Sequence, residues 1–107
     1  MTETTRVAVL GASGYAGGEL IRLLEAHPSA TLTFLGASGS VGRALADVHP
    51  HLAGLPDAAK PLAAIETEAI VGACDVAFIC LPNGLSSTIA PPLLEAGVRV
   101  VDLRRCR

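Results

Sequence analysis

The stretch Val7-Ala8-Val9-Leu10-Gly11-Ala12-Ser13-Gly14-Tyr15-Ala16-Gly17-Gly18-Glu19-Leu20 constrains this chain more than any other part of it. A short apolar run stops at glycines three residues apart, Gly11, Gly14 and Gly17, and a helical pattern follows at once. A strand that turns into a helix in this way can lay a pyrophosphate across the helix N-terminus. Gly11 allows the sharp turn, Gly14 removes a side chain that would hold the phosphates away, and Gly17 lets the helix press on the sheet. The helix end adds unpaired N–H groups and the positive end of its dipole. Ser13, Tyr15 and Ala16 lie between these glycines and join them as candidate cofactor contacts. The spacing is G-x-x-G-x-x-G instead of the commoner G-x-G-x-x-G, and a tight turn with no ligand also uses glycines. Its strand–turn–helix setting and its place at the first such turn favour a nucleotide.

Half of the 107 residues are hydrophobic but only one Tyr and two Phe are aromatic, so the core must be built from Val, Leu, Ile and Ala. That suits one domain, spanning residues 1–107, with a parallel sheet covered by helices. A net charge of −2 and the lack of a basic run argue against nucleic acid. No apolar run reaches the ~18–20 residues of a membrane span, and the first six residues lack the apolar core of a secretory signal. Cys74, Cys80 and Cys106 are odd in number and have no C-x-x-C spacing, so a disulfide framework or zinc site is not expected and a reducing cytoplasm fits.

The chain reads as alternating strands and helices. Strands are expected at Thr4 to Leu10, Ala30 to Leu35, Leu62 to Ile65, Asp75 to Leu81 and Val98 to Leu103. A helix is expected from Tyr15 to about His27, with Ala16, Leu20, Leu23, Leu24 and His27 inward and Glu19, Arg22 and Glu25 in water. Pro28 ends it. The stretch from Arg43 to Pro61 is irregular, with a helical turn near Ala44-Leu45-Ala46, and Glu66 to Gly72 forms a short helix. Ser86 caps a helical turn that restarts at Pro91, and Gly97 closes it. The alternation implies an α/β Rossmann-type, doubly wound parallel sheet in strand order 3-2-1-4-5.

An NAD site places an acidic residue on the ribose about 20 residues past the glycines. Here Leu35-Gly36-Ala37-Ser38 carries none, and Ser38, Ser40 and Arg43 follow, hydroxyls and a cation suited to a 2′-phosphate. NADP is therefore preferred over NAD, although a solvated loop with one arginine has the same composition. The other wall of the cleft is expected at Leu81-Pro82-Asn83-Gly84, beyond the carboxyl end of the strand before it, where a simple turn is the plainer alternative.

The glycine segment, with His49-Pro50-His51-Leu52, Leu81-Pro82-Asn83-Gly84 and Glu95-Ala96-Gly97-Val98-Arg99-Val100-Val101-Asp102-Leu103, resembles the N-acetyl-γ-glutamyl-phosphate reductases. The resemblance covers nearly all of the chain but half or less of such an enzyme. It implies an NADP-binding domain of an arginine-biosynthesis oxidoreductase, in which an acyl phosphate becomes a semialdehyde through a cysteine thioester and hydride transfer. It also implies a small acyl-phosphate substrate and a homo-oligomer. The family usually has histidine at Asn83 and a Ser-Ala-Asp-Phe-Arg type segment after Leu103, where this chain has Arg104-Arg105-Cys106-Arg107. Its catalytic cysteine, assisting histidine and substrate domain come further on, so these residues are expected to be inactive alone. Aspartate-semialdehyde dehydrogenases share the fold and chemistry, and a non-enzymatic NADP(H)-binding or sensing module is the other alternative. A short-chain reductase would need a Tyr-x-x-x-Lys pair, which is absent.

No residue here is a catalytic candidate. Cys106 has arginines beside it that would lower a thiol pKa, but it lies next to the last residue with no base nearby. Cys74 and Cys80 read as small core residues. His49 and His51 lack a third metal ligand; the resemblance implies that they belong to a loop beneath the cofactor domain, with a role that is structural or unknown, and Asp102 is expected to be a solvated carboxylate at a strand end.

Overall fold

Val7, Val9, Ala8 and Leu10 are all fully or almost fully buried, so strand β1 (Thr5–Leu10) has to be covered on both faces. In the computed structural model, which describes residues 4–81 and 86–103, it lies inside a four-stranded parallel sheet of order β2-β1-β3-β4. Its partners are β2 (Ala30–Gly36) and β3 (Val76–Ile79), and β3 pairs in turn with β4 (Arg99–Asp102). Parallel neighbours need crossovers, which are α1 (Tyr15–Glu25), the segment of α2 (Leu45–Val48) and α3 (Thr67–Val71), and α4 (Ser86–Glu95). Val7 and Val9 pack with Ile21 of α1, Leu45 and Leu52 on one face. Ala8 and Leu10 pack with Ile70 of α3 and Leu93 of α4 on the other. Among the described residues no helix is long and apolar enough to cross a membrane.

The sheet is the Rossmann-type arrangement expected, with one strand fewer. The segment expected as a third strand, Leu62 to Ile65, makes a single parallel bridge from Ala63 to Gly36, on the outer side of β2 where the order 3-2-1-4-5 puts it. Ala63 N–H donates to Leu35 and its carbonyl accepts from Ala37. A ladder does not form because Leu62 is engaged elsewhere, exchanging hydrogen bonds with Gly42 and Arg43, and Pro61 has no N–H.

Two helices differ from the reading. In α1 the buried residues are Gly17, Gly18 and Ile21, and Leu20 and Leu24 pack against the core as expected, while Leu23 is 58% exposed, Ala16 faces outward and His27 is exposed beyond the end of the helix. The inward stripe is rotated because the smallest side chains, not the largest, lie closest to the sheet. In α4 the helix does not restart at Pro91: it runs through Pro91 and Pro92, both exposed, and Ser86 lies in the helix itself. Each proline removes a backbone donor, and packing of Leu93 and Ile89 into the core outweighs that loss. Gly97 closes α4 as expected, with φ +92° and a bond from Val98 N–H back to Leu93 O at 3.0 Å, a Schellman closure.

Candidate cofactor site

Leu10 hands the chain to Gly11 between the carboxyl ends of two neighbouring strands. The Gly36 carbonyl at the end of β2 accepts from both Gly11 and Ala12 at 2.8 Å, and Leu10 O accepts from Cys80 at 2.7 Å. Gly11 has φ +100°, and a β-carbon there would lie 2.6 Å from Cys80 O. Gly17 is equally constrained, since its β-carbon would overlap the Gly11 carbonyl. The fold alone thus accounts for both glycines.

Gly14 is different. Its φ is −84°, open to any residue, and a β-carbon would meet only Gly11 O at an ordinary 3.6 Å. It is the exposed N-cap of α1, where Ser, Thr, Asp or Asn would otherwise supply an acceptor, and no side chain caps the helix. The first-turn N–H groups are left for an acceptor from outside, and no acidic residue in that turn repels an anion. Tyr15, 83% exposed, and Ala16 stand beside this end; Ser13 is half-buried in the turn. A turn with this open face and donor set fits a diphosphate.

The loop after β2 starts from the same Gly36 that holds the turn. Ser38, Ser40 and Arg43 are all exposed, and Arg43 makes no ion pair among the described residues. Ser40 is the one non-glycine residue with positive φ among those described, at +63°, an uncommon conformation for a residue other than Gly, Asn or Asp. Its carbonyl accepts from Arg43 N–H at 3.1 Å, so the strained serine and the arginine share one turn.

Of the expected opposite wall, Leu81 is buried and packs beside Gly11, while Pro82, Asn83 and Gly84 lie outside the described residues, as does Cys106. Cys74 is a core residue: its thiol donates to Ile70 O at 3.3 Å, and burial, followed by the neighbouring Asp75, pushes its pKa up. Cys80 is half-buried. Asp102 is exposed at the end of β4, opposite Ile79. A cleft of about 490 Å³ opens among Thr4, Cys74, Asp75, Gly97 and Arg99, but at the amino ends of the strands. Open α/β sheets bind ligands at the carboxyl ends, so this cleft is not the cofactor site.

What sequence reasoning missed is the contact of His49 with the glycine turn. His49 is buried, and its ring covers Gly18 behind the glycine turn, with Nε2 2.8 Å from Ala12 O. The second of the paired glycines, Gly18, was the available signal: no phosphate needs it, so something else had to approach that closely.

Residues 6–105 match the family model described as the semialdehyde dehydrogenase NAD-binding domain. The chain belongs to this family. It is 45% identical over 102 residues to the N-acetyl-gamma-glutamyl-phosphate reductase of Crocosphaera subtropica, covering 95% of this chain and 28% of that one. With the enzyme of the same name from a Cyanothece species the identity is 48% over 98 residues, 91% of this chain and 27% of the other. The aspartate semialdehyde dehydrogenase of Candida albicans, solved with NADP, superimposes with a TM-score of 0.80 at 30% identity, over 98% of this chain and 32% of that one. The chain therefore spans less than a third of the length of the curated relatives named here. Family membership gives the domain a nicotinamide dinucleotide as its ligand class.

Proposed function

We propose that this chain is the NADP(H)-binding domain of an N-acetyl-γ-glutamyl-phosphate reductase, an oxidoreductase that reduces an acyl phosphate to the semialdehyde. The observation that carries the cofactor part is Gly14, a glycine the backbone does not require, at an uncapped helix N-terminus. The pyrophosphate lies across this end, held by the N–H groups of Ser13, Tyr15, Ala16 and Gly17. Ser38, Ser40 and Arg43 take the 2′-phosphate, and a carboxylate at that place would repel it. Leu81-Pro82-Asn83-Gly84 forms the wall toward the nicotinamide.

The bound cofactor supplies a hydride, and the contribution of these residues is to bind and orient it. Relatives that share the reductase name, at 45% and 48% identity, support this substrate over aspartate semialdehyde, whose dehydrogenase stands at 30%. The nucleophilic cysteine, its base and the acyl-phosphate pocket belong to the remainder of such an enzyme, which acts as a homo-oligomer in the cytoplasm. The test is a calorimetric titration of the 107-residue chain with NADPH and NADH. Tighter binding of NADPH supports the reading, and equal affinity for the two removes the assignment of Ser38, Ser40 and Arg43.

A further inference from the structure

His49 and Ser86 are the buried polar side chains among the described residues, and His49 comes from the end of α2, far in sequence from the turn it touches. A buried imidazole has to recover the hydrogen bonds it loses to water. Nε2 does so on Ala12 O at 2.8 Å, and because a carbonyl only accepts, Nε2 carries the proton. The ring leaves no room for a side chain on Gly18: a β-carbon there would lie 2.7 Å from Cε1 and 2.9 Å from Nε2. His51 supports the ring from the side, edge to face at 5.7 Å. His51 in turn stands 4.0 Å from Glu19 Oε2, and Glu19 is held by Arg22 at 2.9 Å.

The peptide unit that carries the Ala12 carbonyl also carries the Ser13 N–H. In a trans peptide these two groups point in opposite directions. With its carbonyl fixed on the imidazole, the unit turns the Ser13 N–H away from His49, and no acceptor among the described residues takes it. A hydrogen bond to the carbonyl also polarises the peptide and strengthens its N–H as a donor.

We propose that His49 is a positioning residue of the cofactor site, which locks the Ala12–Ser13 peptide so that the Ser13 N–H is presented to the pyrophosphate. This rests on the dinucleotide reading above. His49 touches no cofactor atom itself; it acts through one backbone unit, and Gly18 is the glycine that admits it.

Three variants separate the donor from the packing. His49→Phe keeps a ring over Gly18 without an N–H, and His49→Gln keeps an N–H without the ring. His49→Met matches Gln in length without the donor. Each is titrated with NADPH and with 2′-AMP, which has no pyrophosphate, and its melting temperature is recorded. The expected result is a roughly tenfold weaker NADPH affinity in the Phe and Met variants, substantial recovery in Gln, and 2′-AMP binding unchanged throughout. Should Phe not fold, the Gln and Met pair decides alone. NADPH affinity that follows melting temperature and ignores the donor would overturn the proposal, as would a Phe or Met variant that binds like the unmutated chain. If the unmutated chain binds no NADPH, the cofactor reading fails first and this inference with it.

Discussion

Gly17 in the first turn of α1 lies so close to the Gly11 carbonyl that a β-carbon on it would overlap that oxygen, whereas Gly14, three residues earlier, has space beside it. One glycine motif therefore does two separate jobs, and substitution tells them apart. Gly17→Ala has to push α1 off the turn and is expected to destabilise the fold by about 3 kcal/mol or more, at the upper end of overpacking costs. Gly14→Ala is expected to change stability by less than about 1 kcal/mol, since its backbone angles suit alanine. Gly14→Val is expected to keep the fold and abolish NADPH binding. Urea unfolding with calorimetry checks all three. Unchanged NADPH affinity in the Val variant means the pyrophosphate does not cross this turn.

The split between these glycines also marks what the sequence made legible. Strands β1 to β4, the helix after the glycines and the Gly97 closure follow from local chemistry: apolar runs, a turn that needs a positive φ, a helix that needs an end. What was not legible depends on partners distant in sequence. Leu20 and Leu24 of α1 do pack on the core, but the centre of its inward face follows from how closely Gly17 and Gly18 approach the turn and His49, which the leucines do not show. His49 is separated from Ala12 by 37 positions, and the one signal between them, Gly18, shows that something approaches closely but not which residue does. Leu62 to Ile65 has strand-like composition and reaches β2 through Ala63, but the Leu62 N–H and carbonyl are taken by Arg43 and Gly42. Pro91 reads as the restart of a helix, and only the burial of Leu93 on the sheet shows why one helix continues through it.

In the loop after β2, Arg43 has no acidic partner among the described residues, so its removal should cost the fold little. Its effect should fall on one ligand. Arg43→Ala is expected to reduce NADPH affinity by about 1–3 kcal/mol, the range for a charge-assisted bond to phosphate, and to leave NADH affinity as it was. A parallel loss for both cofactors would place the arginine away from the 2′-phosphate.

Gly97 tests the backbone alone. It has φ +92°, and a β-carbon there would meet nothing within 4 Å. Gly97→Ala therefore changes no contact and should destabilise by about 1–2 kcal/mol, the intrinsic cost of the left-handed region for an L side chain. Chemical denaturation gives the value directly. A stability equal to that of the unmutated chain would mean that α4 closes in another way.

The last prediction concerns pH. At the end of α1 the Glu25 carboxyl is pushed up to about 7, by burial first and then by the Asp57 carboxyl beside it, while Lys60 acts in the opposite direction. Lys60 Nζ is itself 3.9 Å from Asp57 Oδ1. A carboxyl whose pKa is raised in the native state binds a proton there that the unfolded chain, titrating near ~4.3, has already released. The unfolded state then holds fewer protons between these values, so stability falls as pH rises. The stabilisation is fully present below the unfolded pKa and is lost as pH passes about 7. Asp75 works in the other direction. Its bonds to the Arg6 side chain and backbone N–H hold its pKa below the usual carboxylate range, so its contribution is lost only as the solution becomes acidic. Between pH 5 and 8 the Glu25 group dominates this pair, and the urea midpoint should fall across that window. Glu25→Gln keeps a donor for Asp57 but cannot ionise, and it should flatten the profile while leaving the acid limb set by Asp75 intact. A midpoint that drops equally in both proteins would assign the pH dependence to another group.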